Sequence, residues 1–168
     1  MDYTVRPISI SLSPNTERDD VSLAFALLFN PTKWIKGGAI ELLEKKFKEY
    51  LGIREAISFN SGRSAFVAIL RALSLKQGDE VLIQGFTCNA VPNPILWEGL
   101  KPIYVDCRED DFNIDVVDLE KKITPKSKVV LVQHTFGIPA NIAKIQEVCT
   151  RYNLILIEDC AHSLGAKY

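Results

Sequence analysis

What this chain lacks narrows it before any motif is read. Gly-x-Gly-x-x-Gly occurs nowhere, and neither does Gly-x-x-x-x-Gly-Lys-Ser/Thr, so neither a dinucleotide fingerprint nor a P-loop is available. The four cysteines, Cys88, Cys107, Cys149 and Cys160, form no Cys-x-x-Cys pair, so reduced thiols are the expectation. Zinc held by Cys160, His162, His134 and Cys107 has no recognised ligand spacing behind it, and no metal is expected. Basic charge is not in excess, 20 Lys+Arg standing against 21 Asp+Glu spread along the chain, which argues against a nucleic-acid partner. No run approaches the roughly 20 apolar residues that cross a bilayer. The start, Met1-Asp2-Tyr3-Thr4-Val5-Arg6, lacks the basic and apolar regions of a signal peptide. The expectation is a cytoplasmic protein with no membrane association.

What is present is material for a core: 47% of the 168 residues are apolar, enough for one domain. Residues 1–36 carry Pro7, Pro14 and Pro31 among short apolar runs and read as an N-terminal arm with a helical piece from Asp20 to Phe29. Gly37-Gly38 opens the domain proper, 37–168. There Ile40, Leu42, Leu43, Phe47, Tyr50 and Leu51 have amphipathic helical spacing, closed by Gly52. Strand candidates follow at Ala56–Phe59, Glu80–Gln84, Pro102–Asp106, Lys128–His134 and Leu154–Glu158. Helical candidates alternate with them at Ser64–Leu75, Ala90–Trp97, Val116–Ile123 and Asn141–Tyr152. That alternation predicts an α/β domain with a mostly parallel sheet. Runs such as Val129-Val130-Leu131-Val132 fit strands covered on both faces. Sites in such sheets gather beyond the carboxyl ends of the strands.

Each strand end was therefore read for chemistry. Asn60-Ser61-Gly62-Arg63-Ser64-Ala65 leads into a helix; its small residues and free amides suit an anion such as phosphate, and equally a plain turn capped by serine. Gly85-Phe86-Thr87-Cys88 offers a ring or a sulfur to a planar ligand, or a core phenylalanine. Asp106 precedes Phe112-Asn113-Ile114-Asp115, a polar loop capping the next helix through Asp115. Gln133-His134-Thr135-Phe136-Gly137 holds a histidine of structural type. Leu154–Glu158 delivers Glu158-Asp159 and then His162; magnesium beside a nucleotide would need the phosphate loop that is missing. A carboxylate facing a protonated ring nitrogen has a specific use, because pyridoxal phosphate works as an electron sink when its pyridine nitrogen stays protonated. Asp159 is the candidate for that role, with a phosphate cradle at Ser61–Ser64, a wall at Phe86–Cys88 and a polar partner in His162.

The series "FNSGRSAF", "GDEVLIQGFTCNAV", "GLKPIYVD", "FNID…LEKKIT", "QHTFGIPANI" and "LILIEDCAHSLGA", running in order from about Gly37 to the last residue, resembles the DegT/DnrJ/StrS family of sugar aminotransferases. The resemblance implies the large domain of a fold type I pyridoxal-phosphate enzyme. It implies pyridoxal 5'-phosphate as cofactor, glutamate as amino donor, a nucleotide-linked keto sugar as acceptor and a homodimer. It places Gly62 and Arg63 where the family's Gly-Thr pair holds the cofactor phosphate, with Ser64 beside them. It puts Asp159 at the pyridine nitrogen, and His162 where a glutamine commonly meets the ring hydroxyl. Cys88 stands where many members put an aromatic ring over the cofactor, so stacking would fall to Phe86. The Schiff-base lysine of the family, in a Ser-x-x-x-Lys context well beyond the "GA" segment, has no counterpart here; Lys167 is too close to Asp159 in the pattern to match it. The expectation is the N-terminal part of an aminotransferase, with part of the large domain and none of the small one, inactive alone. The alternatives are a non-catalytic half-domain that binds a homologous partner or the cofactor, and an unrelated nucleotide-binding domain built around a Walker-B-like Leu154–Asp159.

Overall fold

The computed structural model describes residues 16–35 and 38–166. The first half of the expected arm, the Gly37 of the Gly-Gly pair and Lys167 lie outside them. The chain divides into two compact units, one ending at Ala56 and one beginning at Ile57.

The first unit is helical. Helix α1 (Arg18–Leu28) begins where the Asp20 carboxylate accepts the Glu17 N–H at 2.9 Å, an acid at the positive end of the helix dipole. A short α2 (Thr32–Ile35) follows, and the Trp34 indole donates to the Leu27 carbonyl at 2.8 Å. Helix α3 (Ala39–Leu51) ends because Gly52 turns left-handed at φ 66°, a conformation that glycine adopts without a Cβ penalty. None of the residues of α3 is buried.

The second unit carries the sheet. Strands β1 (Glu80–Gln84), β2 (Lys101–Val105), β3 (Ser127–Gln133) and β4 (Ile155–Asp159) run parallel in the order β2-β1-β3-β4. Their links are α5 (Pro92–Trp97), α6 (Val116–Lys122) and α7 (Ile142–Tyr152), with α4 (Gly62–Ala72) leading in. Alternate side chains of each strand enter opposite layers. Val81 and Ile83 of β1, with Val129 and Leu131 of β3, pack on Phe66 and Leu70 of α4 and Ile95 of α5. Leu82, Val130 and Val132 pack on the other face against Leu119 of α6 and Ile145 and Val148 of α7. Burial on both faces is why these strands read as unbroken apolar runs.

One expected strand is not formed. Residues 56–59 pair with no strand, and Ile57 is 76% exposed. Strand propensity counts only where a neighbouring backbone completes the ladder, and β2 and β4 occupy the two edges without it. Among the described residues no helix is long and apolar enough to cross a membrane.

Strand order reverses between β1 and β3, because the link after β1 runs outward to β2 while the link after β3 runs the other way to β4. Loops leaving two neighbouring strands in opposite directions open a crevice at their carboxyl ends. That crevice holds the candidate site.

Candidate cofactor site

A cavity of about 430 Å³ opens there, between the start of α4, the end of β3 and the loops that follow β1 and β4. Its size falls within the usual range for a small-molecule pocket. Gly62, Arg63, Cys88, Asp159 and His162, all expected from the sequence, line it together. Ser64 does not; it lines a second cavity, which shares Ser61 and Arg63 with the first. Phe86 does not line it either. Its ring sits 5.3 Å from that of Phe112 and 6.0 Å from that of Phe136, so the wall expected from Phe86–Cys88 is the thiol of Cys88.

The start of α4 is a capped helix end. Ser61 is the cap: its Oγ accepts the Ser64 N–H at 3.2 Å and lies 3.0 Å from the Ser64 Oγ. Capping serves the third amide and leaves the earlier ones, of Gly62 and Arg63, without an intrahelical acceptor. A Cβ added at Gly62 would meet nothing within 4 Å, so the space beside that amide is open to a ligand.

At the far side Asp159 ends β4, half-buried. Its Oδ1 accepts the Ala161 N–H and its Oδ2 accepts the Gln133 side-chain N–H, each at 3.0 Å. Gln133 was not picked out by the sequence reading. It faces Asp159 because the β3–β4 register pairs the two residues. The only signal was a polar residue closing the apolar run 129–132. The Gln133 Oε1 in turn accepts from the Thr87 hydroxyl, a short contact that ties the loop after β1 to the end of β3. Beneath lies a second layer of bonds. The Gln84 amide donates to Thr135 Oγ1 at 2.8 Å and to the Phe86 carbonyl at 3.1 Å, while Thr135 N–H donates to Asn113 Oδ1 at 2.9 Å. Buried polar groups satisfied in this way fix the loops that carry them.

His134 is the structural residue expected. It is 3% exposed, and its Nδ1 accepts the Ala140 N–H at 3.1 Å. The ring proton therefore sits on Nε2, 3.1 Å from Glu158 Oε2, which accepts it. His134, Glu158 and Cys160 place potential ligand atoms within 4.8 Å of one another. A metal on Nε2 would have to displace that proton and break the Glu158 bond. The group contains neither His162 nor Cys107, two of the four residues weighed for zinc.

His162 is held from behind. Its ring lies parallel to that of Phe136, at 4° with centroids 6.3 Å apart. Phe136 bridges to Phe86 and Phe112, so Phe86 supports the site through the ring that backs His162.

These residues fit pyridoxal phosphate on chemical grounds. Free amides at a helix start and the Asp159 carboxylate face one cavity, which the apolar side chains of Val91, Leu131 and Ile157 also line.

The model of the DegT/DnrJ/EryC1/StrS aminotransferase family matches residues 16–168. GDP-perosamine synthase of Escherichia coli O157:H7 is 37% identical over 137 residues, which are 80% of this chain and 38% of that protein. Among solved structures, an aminotransferase from Psychrobacter cryohalolentis superposes with a TM-score of 0.85 at 27% identity, over 92% of this chain and 40% of that one. NtdA from Bacillus subtilis, solved with bound cofactor PMP, gives 0.82 at 33% identity, over 89% and 35%. The chain thus spans about two fifths of the length of these proteins.

Proposed function

The chain belongs to the DegT/DnrJ/EryC1/StrS aminotransferase family, and on that premise we propose that it is the cofactor-binding N-terminal part of a pyridoxal-phosphate-dependent aminotransferase. The complete enzyme would act on nucleotide-linked keto sugars with glutamate as amino donor. It would work as a cytoplasmic homodimer that feeds polysaccharide biosynthesis. When bound, the cofactor supplies an electron sink through its protonated pyridine ring.

The observation that carries this reading is the position of Asp159, which faces the same cavity as the capped start of α4. Asp159 would accept the ring N–H and so keep the proton on that nitrogen. The Gly62 and Arg63 amides and the Arg63 guanidinium would hold the phosphate, a seat of the type that helix starts provide for anions. His162 would hydrogen-bond the ring hydroxyl. Cys88 would form the wall against the ring, softer and narrower than an aromatic side chain. Val91, Leu131 and Ile157 keep water from the buried side.

No lysine is among the described residues that line the cavity. Amino transfer in this family needs a desolvated lysine amine as nucleophile and base. Calorimetric titration of the chain with pyridoxamine phosphate, beside the D159N variant, tests the cofactor reading. Saturable binding that D159N weakens by about tenfold or more supports it, at the cost expected for losing a charge-assisted hydrogen bond. Equal binding by both proteins would remove Asp159 from the role.

A further inference from the structure

We infer that Gln133, held by Thr87, is a positioning residue that aims the Asp159 carboxylate at the ring nitrogen of a bound pyridine ligand. The inference rests on the cofactor reading above and goes beyond it, to how the carboxylate is aimed.

The terminal torsion of an aspartate is broad, so a carboxylate on a strand end has no fixed plane of its own. Two donors fix it here, the Ala161 N–H on Oδ1 and the Gln133 amide on Oδ2, each at 3.0 Å. An ionised carboxylate can only accept, so the Gln133 NH2 must be the end that faces Asp159. The opposite end, Oε1, must then face Thr87, and the Thr87 hydroxyl donates to it. Neither end of the amide can flip without losing one of these bonds. The Gln133 backbone is fixed as well, its N–H reaching Gln84 Oε1 at 3.4 Å from the neighbouring strand β1.

The relay therefore joins three strand ends, the loop after β1, the end of β3 and the end of β4. Gln133 and Asp159 both line the cavity, while Thr87 does not, so Thr87 acts on the ligand only through Gln133. Each donor occupies part of the acceptor capacity of Asp159 and leaves the remaining lone pairs pointing at the cavity. A ligand that donates a ring N–H in that plane finds an acceptor already aimed, without paying to order it.

The test compares two probes, pyridoxamine phosphate and its deaza analogue, in which C–H replaces the ring nitrogen. Dissociation constants are measured by calorimetry for the wild-type chain and for Q133L, T87V and T87S, with circular dichroism confirming that each folds. A loss of cavity shape weakens both probes alike, so the ratio of the two constants reports the aim of Asp159 alone. The wild-type chain should prefer the pyridine probe by about tenfold or more. That preference should fall to about twofold or less in Q133L and T87V, and T87S, which keeps the hydroxyl, should retain it. If Q133L does not fold, T87V decides, since it leaves the cavity lining intact. A wild-type preference that persists in Q133L and T87V would overturn the inference while leaving Asp159 in its role. No preference in the wild-type chain would overturn both.

Discussion

Gly137 stands so close to His162 that a Cβ added to it would lie 3.0 Å from the His162 carbonyl oxygen. The loop after β3 thus sets the position of the segment after β4. Gly137 also holds φ at 83°, where an L side chain is strained. G137A should therefore cost about 1 to 3 kcal/mol in urea denaturation, from the backbone conformation and the contact together. It should also move the NMR resonances of His162 more than those of Asp115, which lies in the loop before α6. A variant as stable as the wild-type chain would show that the loop yields freely at this point.

The cysteines differ in chemistry. Cys149 is fully buried in α7, and burial pushes its thiol up to about 11. Cys88 and Cys160 are exposed and line the cavity. Iodoacetamide at neutral pH should label Cys88 and Cys160 in the native chain and reach Cys149 only in denaturant, as mass spectrometry of the peptides will show. Pyridoxamine phosphate should slow labelling of the two cavity thiols. Native labelling of Cys149 at the rate of Cys160 would contradict the packing of α7.

At the amino end of the sheet, away from the cavity, Glu80 is 4% exposed. It accepts from Thr124 Oγ1 at 2.5 Å and Ser127 Oγ at 3.2 Å, with Lys101 Nζ at 3.6 Å. Burial pushes its carboxyl up, but the two hydroxyl donors and Lys101 outweigh that and hold it below the ordinary value. A carboxyl held lower in the folded than in the unfolded chain adds stability above its unfolded value, about pH 4.3. That contribution is lost as pH falls through the folded one. Unfolding measured across acidic pH should thus show the wild-type chain losing stability more steeply than E80Q below about pH 4. Parallel acid limbs for the two proteins would contradict this account of Glu80.

Much of this was legible in the sequence where a local pattern suffices. Continuous apolar runs marked β1, β3 and β4, and Gly52 marked the end of α3, because both signals lie within a few residues. Ala56–Phe59 has a strand's composition, yet a strand exists only when another backbone pairs with it, and composition carries no information on that. Gln133 was missed for a related reason. Its partner Asp159 is distant in sequence and meets it only through the β3–β4 register. Phe86 and Cys88 lie two positions apart in one loop; residue type alone favours a core place for Phe86, and it was the family resemblance, with Cys88 in the aromatic position, that assigned stacking to it. The backbone instead turns Phe86 into the Phe112–Phe136 cluster and leaves Cys88 at the cavity. The role of Glu158 as acceptor for the His134 proton appears only once His134 is seen bonded to Ala140.

The central claim is that Asp159 holds the proton on the ring nitrogen of a bound pyridoxal-type cofactor. Nitrogen NMR of pyridoxamine phosphate labelled at the ring nitrogen, bound to the chain near neutral pH, tests it most directly. The account predicts the chemical shift of a protonated pyridine in the wild-type chain and that of an unprotonated one in D159N. An unprotonated ring in the wild-type chain, or a protonated ring in both, would contradict it.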